Sequence, residues 1–219
     1  MVYGSSAITT DGGDTWTKFK TTHFDCGSVD WADTGRRLLA LRHESGGMLT
    51  TSEDMGATWK DLEKGFAGCA VFDHATFVAT KEKEPGIFRS TDAGANWTKV
   101  SDEKPSGLVP VIFDGAAYWP TGKSILVSRD RGATWSEFGS AVAATHGPIF
   151  GKTAAQCVII GKSGFSATRD GGKTWSAVAA LPPGFTVNRV GPNFAWDSLA
   201  NILYASAMTK PTMKLELGH

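Results

Sequence analysis

The sequence predicts an all-β protein, a β-propeller of four-stranded antiparallel blades, and three observations lead there. An octapeptide of the form S/T-x-D-x-G-x-T/N-W, called the box below, occurs five times, at 9–16, 52–59, 90–97, 128–135 and 168–175. The box aspartates Asp11, Asp54, Asp92, Asp130 and Asp170 stand 43, 38, 38 and 40 residues apart, and a repeat of that period made of several short strands is the signature of a propeller. The apolar runs between boxes are too short and too often broken by glycine to be helices.

Each box reads as a hairpin turn. The aspartate carboxylate can accept backbone N–H groups from the residues that follow it, which closes the turn. The next-but-one residue, Gly13, Gly56, Gly94, Gly132 or Gly172, can take the positive φ of a tight turn. The closing tryptophan, Trp16, Trp59, Trp97, Trp135 or Trp175, opens the following strand and is expected to lay its apolar face against a neighbouring blade. Each box holds too few acidic groups for a calcium loop, so these fifteen residues are assigned a structural role.

Reading outward from the boxes recovers four strands per repeat. The first runs over 27–30, 70–73, 111–114, 148–151 and 194–197. The second follows at 38–41, 77–80, 117–121, 158–161 and 202–206. The third enters the box at 6–10, 48–52, 87–91, 125–129 and 165–169, and the fourth leaves it at 16–19, 59–62, 97–100, 135–138 and 175–178. The chain starts late in a blade, with 2–4 barely long enough for a second strand, and ends with a first and second strand that no box follows. The preferred arrangement has five blades, one of them shared by the N- and C-terminal strands, which removes open sheet edges. In the alternative, 212–217 is the third strand of a sixth blade and the chain is part of a longer protein. The final Leu-Glu-Leu-Gly-His resembles, in part, a cloning remnant.

The 219 residues suffice for one core, and a single propeller domain over 1–219 is expected. Lysine and arginine number 22, as do aspartate and glutamate, and the basic residues are scattered, which points away from nucleic acid and anionic membranes. No apolar run reaches transmembrane length and 1–4 is not a signal peptide. The protein is therefore expected to be soluble and monomeric, either cytoplasmic or secreted after loss of a leader. Three cysteines, Cys26, Cys69 and Cys157, do not make a disulfide framework. Cys26 and Cys69 each lie 15 residues after their box aspartate, hence at equivalent places on adjacent first strands. Buried thiols are the preferred reading and a redox or metal pair the other.

The boxes resemble the Asp-box (BNR) repeats of the sialidase superfamily, and the resemblance covers nearly the whole chain. Propellers of this kind include sialidases, xyloglucan-degrading hydrolases, sortilin-type receptors and photosystem II assembly factors, so the resemblance implies a fold more than an activity. A sialidase would imply an arginine triad, a Tyr–Glu nucleophile pair, an Asp acid/base and an early Arg-Ile-Pro motif on the face opposite the boxes. That motif is absent. Arg129, Arg131 and Arg169 lie inside boxes, Arg36 and Arg37 fall on the box side, and Arg89 lies in a strand, leaving Arg42 and Arg189. Two arginines do not make the triad.

Another glycosidase would need two carboxylates about 5–10 Å apart across a sugar. The turns away from the boxes offer Asp25, Glu44, Glu82 and Glu84, of which Glu44, Glu84 and Asp25 are the catalytic candidates. The same turns carry Arg42, His43, Lys81, Lys123, His146, Lys162 and Arg189, a moderately basic rim that suits an acidic partner. Lys210 joins them. A metal held among His23, His43 and His146 is one reading and an ordinary surface role the preferred one, so no metal or other cofactor is expected. A non-catalytic module that binds a glycan, protein or peptide is the preferred function. A carbohydrate-active enzyme, or a propeller fragment without activity of its own, is the alternative.

Overall fold

The computed structural model describes residues 7–18, 23–30, 36–182, 193–207 and 210–217. Among them the chain forms antiparallel sheets in simple chain order. β1 (Ala7–Ile8) and β2 (Thr17–Lys18) pair across the first box. β3 (Cys26–Val29), β4 (Leu38–Arg42), β5 (Met48–Ser52) and β6 (Lys60–Asp61) form the next sheet. β7 (Phe66–Val71), β8 (Phe77–Lys81), β9 (Ile87–Ser90) and β10 (Thr98–Ser101) follow, then β11 (Val111–Phe113), β12 (Ala116–Pro120), β13 (Ile125–Ser128) and β14 (Ser136–Glu137). β15 (His146–Phe150), β16 (Cys157–Ile160), β17 (Gly164–Thr168) and β18 (Ser176–Ala180) make the last four-stranded sheet, and β19 (Asn193–Asp197), β20 (Ile202–Ala207) and β21 (Lys210–Glu216) complete the set. Every strand expected from the repeat has its counterpart within a residue or two, except that β7 begins at Phe66, because the whole of Phe66–Val71 is buried. The expected strand at 2–4 lies outside the described residues.

The C-terminal sheet bears on the blade arrangement. In the shared-blade arrangement the free edge of β20 was reserved for an N-terminal strand. That edge is taken by β21, through the pairs Ile202↔Glu216, Leu203↔Leu215 and Tyr204↔Lys214. Among the described residues the sheets number six, a count compatible with the alternative expectation. The reason lies in the period-two pattern of β21: Leu215 and Leu217 turn inward onto Leu203, Phe165 and Ile160, while Lys214 and Glu216 face solvent. The leucines of the Leu-Glu-Leu tail thus belong to the core.

The chain divides into two compact units, residues 1–104 with 131–133, and residues 105–130 with 134–219. In the first, Leu39, Leu41, Leu49, Phe66, Phe77 and Ile87 are fully or nearly fully buried. β3 lies beside β7, with the Val71 N–H donating to Ser28 Oγ at 3.1 Å. In the second unit one cluster gathers Tyr118, Ile125, Val127, Phe138, Cys157 and Ile159. Another gathers Val158, Ile160, Phe165, Leu203 and Leu217. Residues of opposite parity on one strand, such as Cys157 and Val158, enter different clusters because each inner strand is covered on both faces.

The box hairpins follow the expected logic. In the second box Thr58 donates to Asp54 twice, N–H to Oδ1 at 2.8 Å and Oγ1 to Oδ2 at 2.6 Å. The Ser52 hydroxyl donates to Asp54 Oδ1 and accepts the Gly56 N–H at 2.7 Å. The double bond to the aspartate recurs at Thr15, Asn96, Thr134 and Thr174. All five box glycines have positive φ, and so does the residue before each, including Met55, Ala93 and Arg131. The tryptophans divide: Trp175 packs against the cluster that holds Tyr118, Val127 and Phe138 of the preceding sheet, as expected, and the others make contacts nearer home. Trp16 is 62% exposed, and Trp59, Trp97 and Trp135 pack on Phe24, Phe66 and Trp119, aromatics within their own repeats, at 4.5, 5.0 and 6.0 Å between ring centroids. At Trp16 and Trp59 the indole N–H also bonds the box glycine carbonyl, Gly13 at 2.9 Å and Gly56 at 3.0 Å, which holds the ring against its own hairpin.

Candidate functional site

Each complete blade has two chemically different ends. At one end sit the boxes, whose aspartates are held as carboxylates by donors from their own turns. The Thr58 hydroxyl and N–H bring Asp54 down to about 2, Asn96 does the same for Asp92, and the Thr174 N–H and hydroxyl do so for Asp170. For Asp130 burial works upward, but Thr134 and Ser128 outweigh it and the carboxyl again falls to about 2. The Thr15 hydroxyl and N–H pull Asp11 lower still. A shallow depression of about 290 Å³ opens at this end of the third sheet, beside Arg89, Asp92 and Asn96. None of the expected rim residues lines it. Arg37, read as a box-side turn residue, is buried just ahead of β4, where its Nη1 lies 2.7 Å from Glu53 Oε1 of the second box.

The opposite end carries the turns expected to be functional, and there the first unit brings together one cluster. Asp25 directly precedes β3, and its N–H donates to the Leu41 carbonyl at 2.8 Å, which continues the β3–β4 ladder and sets Asp25 beside the end of β4. The chain then makes a short 3₁₀ turn, His43–Ser45, before β5. That turn carries Glu44 back toward Asp25 and His23. His23 Nε2 lies 2.9 Å from Glu44 Oε1 and 3.8 Å from Asp25 Oδ1, and one donor atom of each of the three falls within 4.8 Å of the others. The side chains of His23 and Asp25 are 21% and 14% exposed and that of Glu44 49%, so the cluster is anchored on its strand side and open on the other.

The remaining expected residues are placed as follows. Arg42 pairs with Asp61, reaching across β5 within its own sheet. Lys81 ends β8 with its ammonium 4.8 Å from the Phe88 ring centroid and 5.6 Å from that of Phe66. Glu84 and Glu82 are exposed in the β8–β9 turn and stand outside the His23 cluster. His43 opens the 3₁₀ turn. In the second unit, Lys123 is exposed in a turn closed by the Thr121 N–H to Ser124 carbonyl bond of 2.9 Å. His146 opens β15 and is half-buried, and Lys162 is exposed between β16 and β17. Arg189 lies outside the described residues. His23 is the one member of the cluster not named as a catalytic or ligand-binding candidate. The signal for it was its place two residues ahead of Asp25 at the start of an inner strand.

Successive four-stranded antiparallel sheets, each with its outer hairpin closed by a box, define the class: the fold is that of a β-propeller. No family model matches the sequence, and no curated protein matches it. Among solved structures the chain is similar to a GH74 enzyme from Niastella koreensis, at 15% identity and a TM-score of 0.62, covering 98% of this chain and 36% of that one. It is similar to YCF48 from Cyanidioschyzon merolae, at 14% identity and 0.58, covering 88% and 66%. A third is the nidogen/laminin complex, at 13% and 0.57, covering 92% and 80%. At such identities the likeness is one of fold. This chain spans about a third of the GH74 enzyme's length.

Proposed function

We propose that this chain is a single non-catalytic propeller domain of the Asp-box type, which presents the turns opposite its boxes to an acidic partner, a protein or peptide first and a carboxylated glycan second. The observation that carries this reading is the position of His23. A glycosidase pair must flank the scissile bond with that bond between the two carboxyl groups. Here Asp25 and Glu44 both point at one imidazole nitrogen, at 3.8 and 2.9 Å, and the ring fills the space a sugar would need. In the second unit the exposed side chains Lys123 and Lys162 supply positive charge in the β12–β13 and β16–β17 turns, and in the first unit Lys81 lies over two aromatic rings, features suited to recognition rather than proton transfer. The nidogen/laminin structure is itself a complex, which is why a protein partner is put first.

A glycoside hydrolase is the second reading, favoured by the closeness of Asp25 and Glu44. The experiment is a binding screen of the purified protein against a glycan array and a set of acidic and neutral peptides, with chromogenic glycoside turnover for every glycan bound. Binding without turnover that weakens at least tenfold in the Lys123→Glu/Lys162→Glu variant supports the module. Turnover that disappears in Glu44→Gln supports the hydrolase. Binding to neither class of ligand overturns both.

A further inference from the structure

The His23–Asp25–Glu44 cluster has the composition and spacing of a metal site. We propose that these three side chains bind a divalent transition-metal ion, zinc by preference. Three protein donors with a remaining position for water or a partner's oxygen is the pattern of an open zinc site. Donors about 2.0–2.2 Å from a tetrahedral zinc ion stand about 3.4 Å from one another. The two distances from His23 Nε2, 2.9 and 3.8 Å, fall on either side of that value, and no pair exceeds 4.8 Å. Adjustments of about an ångström or less would close the shell around an ion.

The supports of the donors fit that requirement. Asp25 is tied into the β3–β4 ladder through its backbone N–H, so its carboxyl starts from a fixed point. Glu44 sits on a one-turn 3₁₀ segment with half its side chain in solvent. The mixed donor set also sets the selectivity. Calcium requires six or more oxygen ligands and magnesium a near-octahedral oxygen shell, whereas one imidazole with two carboxylates suits zinc, manganese or cobalt. The cysteines offer a rival: Cys26 and Cys69 hydrogen-bond side chain to side chain in the same unit, but both are buried.

The test is calorimetric titration of tag-free, chelator-treated protein with ZnCl₂, followed by cobalt substitution. The expected result is one zinc ion per chain. His23→Gln and Glu44→Gln should each weaken binding at least tenfold while melting like the parent in chelator, and Cys26→Ser should leave it unchanged. Magnesium or calcium in hundredfold excess should not displace the zinc. The absence of saturable uptake would overturn the proposal and leave the cluster as a polar contact between one histidine and two carboxylates. So would uptake insensitive to both substitutions, or a cobalt spectrum with thiolate charge-transfer bands, which would put the ion on the cysteines. Neither the peptide nor the glycan screen bears on this result.

Discussion

Thr58 donates to Asp54 through both its backbone N–H and its hydroxyl, at 2.8 and 2.6 Å, one bond to each carboxylate oxygen. A charged acceptor with both oxygens engaged is stabilised as the anion, and four of the five box aspartates fall to about 2 in consequence. A carboxyl group with a lower pKa in the folded than in the unfolded chain adds stability above its unfolded value, near 3.8. That contribution is lost as the pH drops through the folded value. Denaturant stability should therefore be level above about pH 5 and fall steeply between pH 4 and pH 2. A flat profile across that window would show that the boxes do not bear on folding.

Ser52 tests the same hairpin through a buried group. Its hydroxyl accepts the Gly56 N–H at 2.7 Å and is itself 1% exposed. Ser52→Ala leaves that amide without its acceptor and should cost about 1–3 kcal/mol in urea unfolding. Ser52→Thr, the residue found at the same place in the first and fifth boxes, should restore most of it.

Gly47 and Gly115 separate crowding from backbone strain. Both have positive φ, 65° and 72°. A Cβ on Gly47 would meet the Phe66 carbonyl oxygen at 2.3 Å, whereas one on Gly115 would meet nothing within 4 Å. The Phe66 N–H also bonds the Gly47 carbonyl at 3.0 Å, so the two backbones cannot easily part. Gly115→Ala should cost about 1–2 kcal/mol, the left-handed penalty alone, and Gly47→Ala clearly more. Equal losses in thermal or urea unfolding would refute the packing argument.

The thiols should be inert in the native protein. Burial pushes Cys157 up to about 12, and the hydrogen bond between Cys69 and Cys26, with burial adding to it, raises Cys69 as well. The thiolate is the reactive form, so Ellman's reagent at pH 8 should titrate the three cysteines only after denaturant is added. Immediate reaction of any one in the folded state would contradict this burial.

Arg42 and Leu39 bracket the energetics of the blade that carries the cluster. The Arg42–Asp61 pair is half in solvent on the acidic side, and such pairs contribute about 0.2–1 kcal/mol. Arg42→Ala should lower stability by no more than that. Leu39 is fully buried, and Leu39→Ala should cost about 2–5 kcal/mol. The two are compared by urea denaturation of the single variants.

The repeat alone determined the strands, their order and the turn chemistry, because a hairpin is a local object: the box serine or threonine, aspartate and glycine satisfy one another within four residues, and the alternating pattern marks what is buried. Two kinds of feature were not legible in it. One is the second left-handed residue of each box, filled in three boxes by Met55, Ala93 and Arg131, which no propensity would assign there. The other is every feature that depends on residues meeting from separate segments. Tertiary structure alone decided that β21 takes the edge of β20, since an open edge pairs with whichever strand packing brings to it. It also paired Arg42 with Asp61, and it set His23 between Asp25 and Glu44. The spacing of 23, 25 and 44 carries no periodicity that foretells a contact. The β3–β4 register and one 3₁₀ turn create it, and register is set by burial of the whole strand rather than by the residues at its end.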